Sequence, residues 1–183
     1  LTFLSTDLRT LSELFDRYPN QIAAVITEPE KSNINDPEYC KNVRDICHRN
    51  GALFIMDEMV TGFKTDFPGS MKKTGIVPDM ATWGKGIANG FSFCALTGKK
   101  EVMELGGIRK KNEEKVFLIS STHGGETISM AACMATIDEF AQKDVITSNH
   151  RTGTYFSRKC SDLLKRKNMV AYVSIVSSEW FPM

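Results

Sequence analysis

The chain has 183 residues, of which 42% are hydrophobic and 25% charged, a composition typical of globular domains rather than of disordered chains. Its 23 lysines and arginines and 22 acids leave a formal charge of +1, which gives no overall attraction to nucleic acid or to anionic membranes. No apolar run approaches the roughly 20 residues that span a bilayer. We therefore expect neither a nucleic-acid partner nor a membrane partner.

The five cysteines are odd in number and form no C-x-x-C pair or cluster with zinc-site spacing. Cys40 and Cys47 are seven residues apart, which places them on one face of a helix rather than in disulfide geometry. The pattern predicts reduced thiols and favours a cytoplasmic protein.

The first third of the chain alternates helical and strand patterns. Apolar residues recur at helical spacing between residues 7 and 18, where Pro19 and Asn20 then end the helix. A short apolar run, 21–27, is typical of a strand buried on both faces. Asp36 can cap and Pro37 can begin a helix that runs to Arg49 and ends at Gly51.

The alternation continues along the rest of the chain. The patterns predict strands at 52–56, 80–83, 93–97 and 116–119, and helices at 99–105, 126–142 and 151–167, the last one basic. The segment 61–77, rich in glycine and proline, is predicted to be a loop.

Alternating buried strands and amphipathic helices indicate an α/β fold with a mostly parallel sheet. The character of the sequence changes after Asp144, so we place a domain boundary there, with one domain at 1–147 and the beginning of a second at 148–183. The chain begins at Leu1 and ends in an apolar stretch, and we expect it to be a piece of a longer protein.

Three polar features lie at the ends of predicted strands, where parallel sheets bind ligands. Asp57 and Glu58 follow the strand 52–56, and such acids serve either as functional carboxylates or as simple caps. Lys85 stands between two glycines after the strand 80–83, and on its own is equally consistent with a surface lysine. The segment 121–126, STHGGE, precedes a helix and suits either a phosphate or an ordinary helix cap.

Together the three features match the needs of a phosphorylated pyridine aldehyde. A lysine amine can form a Schiff base with the aldehyde and later move a substrate proton. A carboxylate can keep the ring nitrogen protonated, so that the ring accepts electrons from a carbanion. The helix N-terminus and Thr122 would hold the phosphate.

These residues resemble the signature of class III (fold-type I) pyridoxal-phosphate aminotransferases. The resemblance rests on DEMVTGF at 57–63, on Pro78-Asp79, and on Gly84-Lys85 followed by Asn89-Gly90, and it covers roughly residues 20–160. Within the family the chain is most similar to the glutamate-1-semialdehyde 2,1-aminomutase branch, with Lys64 where that branch has arginine. The run 116–126 also resembles aminomutase homologues found with surface-polysaccharide genes.

The resemblance implies a role for each matching residue. Lys85 would be the Schiff-base lysine, whose aldimine carries the amino transfer, and Asp57 the partner of the ring nitrogen. Met59 would pack on the cofactor ring, where the family usually has valine, and Glu28 would lie near the cofactor. Thr122 would bind the phosphate of the neighbouring subunit's cofactor across a homodimer interface. Asn33 falls where this branch has an asparagine beside the substrate.

The resemblance implies part of a fold-type I large domain, the start of a small C-terminal domain, and an aminomutase-like transfer of an amino group within one small substrate. A class III transaminase with another amino or keto substrate shares all of these residues, so this alternative stays open. An inactive fragment of such an enzyme, acting only through protein contacts, also stays open. An ordinary nucleotide-binding domain is disfavoured, because the glycine fingerprint of dinucleotide sites is missing.

Overall fold

Helices and strands alternate along the computed structural model, which describes residues 1–30, 38–107 and 124–169. The elements in chain order are α1 (Arg9–Arg17), β1 (Ala24–Thr27), α2 (Tyr39–Arg49), β2 (Leu53–Asp57), α3 (Ser70–Thr74), β3 (Met80–Trp83), β4 (Ala95–Gly98), α4 (Lys100–Met103), α5 (Thr127–Gln142) and α6 (Val145–Arg166). A 3₁₀ turn, Lys85–Ala88, follows β3, and a second one, Glu104–Gly106, extends α4. The predicted α/β class is confirmed.

The four strands form one sheet in the order β1-β2-β3-β4. The first three are parallel, with Thr27 opposite Met56 and Asp57 opposite Thr82, and β4 runs antiparallel to β3. Because β1, β2 and β3 point the same way, their carboxyl ends lie along one edge of the sheet. This edge receives the residues that follow each strand.

The first hydrophobic core lies between the sheet and helices α1 and α2. Leu11 from α1, Val43 from α2 and Phe54 from β2 are all at most 1% exposed there. The Tyr39 hydroxyl also hydrogen-bonds the Thr27 hydroxyl at 2.9 Å, which ties the start of α2 to the end of β1. Packing of the helices therefore fixes the strand ends that lead into the site.

The opposite face of the sheet differs from the prediction for β1. Along β1 exposed and buried residues alternate, and Ile26 is 54% exposed. A continuous apolar run predicts cover on both faces. Among the described residues, the helices α1 and α2 cover only the face that carries Val25 and Thr27.

A second core lies beneath the 3₁₀ turn that begins at Lys85. Trp83, Ile87 and Ala88 are buried there together with Phe63 and with Cys133 of α5. Phe140 adds a ring from α5, 5.4 Å from that of Phe63 in an edge-on arrangement. The first core thus packs on β2, through Phe54 and Met56, and the second core packs on the end of β3, through Trp83.

Asp79, just before β3, joins three elements through one buried carboxylate. Its Oδ2 accepts hydrogen bonds from the Phe54 N–H at 2.7 Å and from His48 Nε2 at 2.8 Å, and Lys99 Nζ lies 2.6 Å from Oδ1. Burial alone would raise the pKa of Asp79, but the hydrogen bonds from Lys99, Phe54 and His48 outweigh it and lower the pKa. Asp79 thus fixes the register between α2, β2 and the β3–β4 hairpin.

Several element boundaries differ from the predictions. The loop predicted at 61–77 contains the short helix α3, and α6 begins at Val145, six residues earlier than predicted, with the Asp144 side chain accepting from the Thr147 N–H. The predicted domain boundary between 147 and 148 falls inside α6, and the division into two domains stays a prediction. The predicted strand at 116–119 and the cap at Asp36 and Pro37 lie outside the described residues.

All five cysteines are free, as predicted. Cys40 and Cys47 both lie on the buried face of α2. Burial raises the pKa of each thiol to about 12, so both are held as unreactive thiols.

Candidate functional site

Residues with functional groups follow each of the three parallel strands. Glu28 follows β1, Asp57 ends β2, and Lys85 comes two residues after β3. Neighbouring strands are about 4.8 Å apart, so the sheet itself brings the ends of β2 and β3 together. The predicted gathering of Asp57 and Lys85 at one edge is what this topology produces.

Asp57 is held in a fixed orientation by two hydrogen bonds to one oxygen. Its Oδ1 accepts the Met59 N–H at 3.0 Å and the Thr82 hydroxyl, also at 3.0 Å. Thr82 is the residue opposite Asp57 in the β2–β3 pairing, so the second bond crosses between the strands. The half-buried carboxylate is thereby held in one orientation through Oδ1.

Lys85 combines an exposed side chain with a constrained backbone. Its φ is +48°, in the left-handed region that L-residues seldom occupy, and the 3₁₀ turn it begins buries Ile87 and Ala88 in the second core. Such strained positions cluster at functional sites, because the surrounding packing must enforce them. The amine is accessible while its Cα is fixed.

Met59 lies beside the residue that precedes Lys85. A Cβ added at Gly84 would come 2.7 Å from Met59 Sδ, so the end of the Met59 side chain lies directly against this glycine. The structure therefore places Met59 between Asp57, which accepts its N–H, and the glycine before Lys85, and packing of Met59 against a cofactor ring stays a prediction.

A second lysine lies next to Lys85. Burial, and secondarily the positive charge of Lys85, lowers the pKa of the half-buried Lys64. Lys64 stands where the aminomutase branch that the sequence resembles has an arginine. It gives the site a second cation beside the candidate nucleophile.

Glu58 has no separate role in the sequence predictions, yet it is the most completely buried charged residue of the region, at 0% exposure. Its carboxylate accepts the Thr61 hydroxyl and the Ser70 N–H on Oε2, and the Met71 N–H at 2.8 Å on Oε1. Burial raises the pKa of Glu58, although these hydrogen bonds oppose the rise. The partners are 3 to 13 residues away along the chain, so neither spacing nor motif reveals them.

Gly62 is packed so tightly that we expect alanine at this position to be destabilising. A Cβ there would lie 2.7 Å from the Glu58 carbonyl oxygen and 2.8 Å from Trp83 Cε3, and neither group can move freely. Gly62→Ala should lower the free energy of unfolding by about 1–3 kcal/mol, the usual cost of overpacking. The measurement is urea unfolding followed by circular dichroism.

Gly86→Ala is the matched control for that prediction. It lies in the same region, but its nearest neighbour, Phe63 Cβ, would be 3.4 Å from the new methyl group, an ordinary contact. Equal losses of stability in the two variants would contradict the packing argument.

The remaining predicted site residues fall into two groups. Glu28 lies at the same sheet edge, one strand away from Asp57, because Thr27 pairs with Met56. Asn33 and Thr122 lie outside the described residues, as do the residues 121–123 of the predicted phosphate loop.

The donor set at this edge fits a pyridine aldehyde better than a metal ion. In the described ranges no group of three or more histidine, cysteine or acidic side chains could hold a metal. A carboxylate held through one oxygen suits a ring nitrogen, and an accessible primary amine on a rigid backbone suits an aldehyde. In the same part of the chain, no helix is both long and apolar enough to cross a bilayer.

Comparison with known proteins agrees with this chemistry. The profile of the family described as Aminotransferase class-III matches residues 4–176. The glutamate-1-semialdehyde 2,1-aminomutase 2 of Lachnoclostridium phytofermentans is 31% identical over 181 residues, covering 94% of this chain and 40% of the relative. The glutamate-1-semialdehyde 2,1-aminomutase of Legionella pneumophila (strain Lens) is 32% identical over 178 residues, covering 95% and 40%.

Among solved structures, the PLP internal aldimine form of the FumI protein from Sphingopyxis sp. MTA144 is similar in fold. It matches with a TM-score of 0.81 and 22% identity, covering 100% of this chain and 43% of that one. The chain therefore spans about 40% of the length of the curated relatives that it matches.

Proposed function

Because the chain belongs to the class III aminotransferase family, we propose that it supplies the lysine and the ring-nitrogen acid of a pyridoxal-phosphate enzyme that moves an amino group on a small substrate. Its fold is that of the large domain of fold-type I transferases. One observation carries the proposal: Asp57 and Lys85 lie at the ends of adjacent parallel strands. The carboxylate of Asp57 is held in one orientation, and Lys85 has an exposed side chain on a strained backbone.

Each residue has a defined task in this proposal. Bound pyridoxal phosphate would supply an electron-accepting ring. Asp57, oriented through Oδ1, would hold a proton on the ring nitrogen. Lys85 would hold the cofactor through its amine and, once the substrate has taken that place, would add or remove the proton at the substrate carbon that bears the amino group. Met59 would pack against the ring, and Glu28 would support the site from the end of β1.

We further propose that the transfer is intramolecular, as the names of the aminomutase relatives describe. In a 2,1-aminomutase reaction the amino group leaves carbon 2 and appears on carbon 1 of the same molecule, so no second substrate is consumed. The support is the identity of 31–32% to curated aminomutases over nearly the whole chain. A transaminase would use the same residues but would need a second amino or keto compound.

Other parts of the proposal concern the whole protein. A homodimer with shared active sites, a phosphate contact from Thr122 to the neighbouring subunit, a substrate contact from Asn33 and a cytoplasmic location are proposed on family resemblance. The start of a small domain at residue 148 has the same basis.

The experiment uses the full protein that carries this sequence. After incubation with pyridoxal phosphate and borohydride, we expect the stable adduct to map to the peptide that contains Lys85. With glutamate 1-semialdehyde as the only substrate, we expect the amino group to move to carbon 1. Mass spectrometry reads both results.

Three other results would each change the proposal. An adduct distributed equally over exposed lysines such as Lys100 would contradict the role of Lys85. A product that forms only after a second amino or keto compound is added would identify a transaminase. The absence of any adduct or turnover in the full protein would favour the alternative of a protein that acts only through protein contacts.

A further inference from the structure

We propose that Glu58 is a positioning residue, whose buried carboxylate closes the segment 59–69 against β3 and thereby fixes the backbone of Gly84 and Lys85. This proposal deepens the proposed function, on which the importance of Lys85 rests. The positioning itself is a property of this chain and can be measured without any activity.

The side chain of Glu58 closes the segment at both ends. At the near end it accepts the Thr61 hydroxyl, and at the far end it accepts the N–H groups of Ser70 and Met71, at 3.0 and 2.8 Å. A Cβ at Gly69 would come 2.6 Å from Oε2, so the chain passes directly over the carboxylate. One side chain thus bridges the start and the end of the segment.

The backbone of Glu58 joins the same segment to the sheet. Its N–H donates to the Thr82 carbonyl at 3.0 Å, and its own carbonyl accepts the Gly62 N–H at 2.9 Å. Movement of Glu58 would therefore be transmitted to β3 as well as to the segment.

The segment 59–69 contacts the two residues that precede Lys85, Trp83 and Gly84. Gly62 lies against the Trp83 ring, closer than a Cβ would permit, and the end of the Met59 side chain lies against Gly84. These two contacts hold residues 83 and 84 from the side of the segment. We infer that they help to enforce the left-handed backbone of Lys85.

The charges around Glu58 make a purely stabilising role a poor explanation. The Ser70 hydroxyl donates to Glu30 at 2.6 Å, so Ser70 bridges two carboxylates. Among the described residues, the cation in contact with this pair is Lys73, whose Nζ lies 3.1 Å from Glu30. Cys40, from α2, faces the same two acids. A buried carboxylate costs desolvation energy that an apolar side chain would avoid, so its benefit is better sought in a fixed geometry.

The test is hydrogen exchange of the full protein, comparing Glu58→Gln with the parent. Glutamine keeps the size but replaces one accepting oxygen with an NH₂ group that faces backbone or hydroxyl donors. The N–H groups of Ile87, Asn89 and Phe91 are bonded within the turn that follows Lys85. We expect their exchange to become about tenfold faster or more in the variant.

Two controls separate positioning from general loss of stability. Val43→Ala removes a fully buried side chain of the first core, and should leave exchange in 84–91 unchanged while the protein stays folded. Glu30→Gln alters the neighbouring carboxylate, which bonds Ser70 and Lys73 rather than the segment 59–69. In Glu30→Gln, the rates of amide hydrogen exchange in residues 84–91 should also match those of the parent protein.

If Glu58→Gln fails to fold, Thr61→Val removes a single donor and should give a smaller increase in the same amides. Faster exchange confined to 59–71, with 84–91 unchanged, would overturn the proposal and leave Glu58 as a loop anchor. Equal acceleration in Val43→Ala would overturn it too. Turnover of Glu58→Gln gives an independent measurement. If the proposed function holds, we expect a lower kcat with KM nearly unchanged. If the proposed function is wrong, the hydrogen-exchange result still tests the positioning by Glu58.

Discussion

Replacing Lys85 with alanine is expected to reduce amino-group transfer by more than about 10³-fold and to abolish the borohydride-stable adduct. In the proposed function the amine of Lys85 both binds the aldehyde and carries the substrate proton, so both tasks would be lost together. Alanine and lysine bear the same strain at φ +48°, since both have a Cβ, and the variant should therefore fold. Activity and adduct mapping measure the effect.

Two companion variants sharpen this result. Lys85→Arg keeps the positive charge but removes the nucleophile, and should be as inactive as the alanine variant. Lys100→Ala changes a lysine whose side chain is 84% exposed, and should retain full activity. Substantial activity in Lys85→Arg would show that charge alone is required and would contradict the nucleophilic role.

Asp57→Asn is expected to slow turnover by about 10²–10³-fold, the range for loss of one electrostatic contact to developing charge. Both hydrogen bonds at this side chain are accepted by Oδ1, so an amide can keep them with its carbonyl oxygen. What the amide cannot do is hold a proton on a ring nitrogen. The adduct on Lys85 should therefore still form while turnover falls, as measured by trapping and by steady-state rates.

Thr82→Val is the control for orientation without charge. It removes one of the two hydrogen bonds to Asp57 Oδ1 and leaves the carboxylate ionisable. We expect a loss of about tenfold, the lower end for one hydrogen bond to a charged group, because the Met59 N–H still orients the same oxygen. If Asp57→Asn were as active as Thr82→Val, the charge of Asp57 would have no role.

Local patterns predicted much of the fold because the relevant signals are local. β3 begins and ends where its apolar run does, and Gly51, with φ +69°, stops α2 as a left-handed residue should. Helix α3 was not predictable from periodicity, because five residues between two glycines are too few to show a helical repeat. The early start of α6 did have a signal, namely Asp144 three residues before Thr147.

The site residues likewise divide into those that local sequence predicts and those that only the folded chain brings together. Asp57 and Lys85 are recognisable because each follows an apolar strand, and the parallel topology brings them together. The role of Glu58 was missed because its partners, Ser70 and Met71, are brought to it by the folding of an irregular segment. The closeness of Lys64 to Lys85 likewise depends on the turn around Phe63, which has a positive φ.

The pairing of Asp57 with Thr82 across neighbouring strands has an evolutionary consequence. Asp57 ends one strand, Lys85 follows the neighbouring strand, and such strands are about 4.8 Å apart, so the sheet sets the separation of the two backbones. Both groups are encoded within residues 57–85 as one crossover unit. Loops and domains outside this unit can therefore change in descendants without moving the two backbone positions that the strand pairing sets.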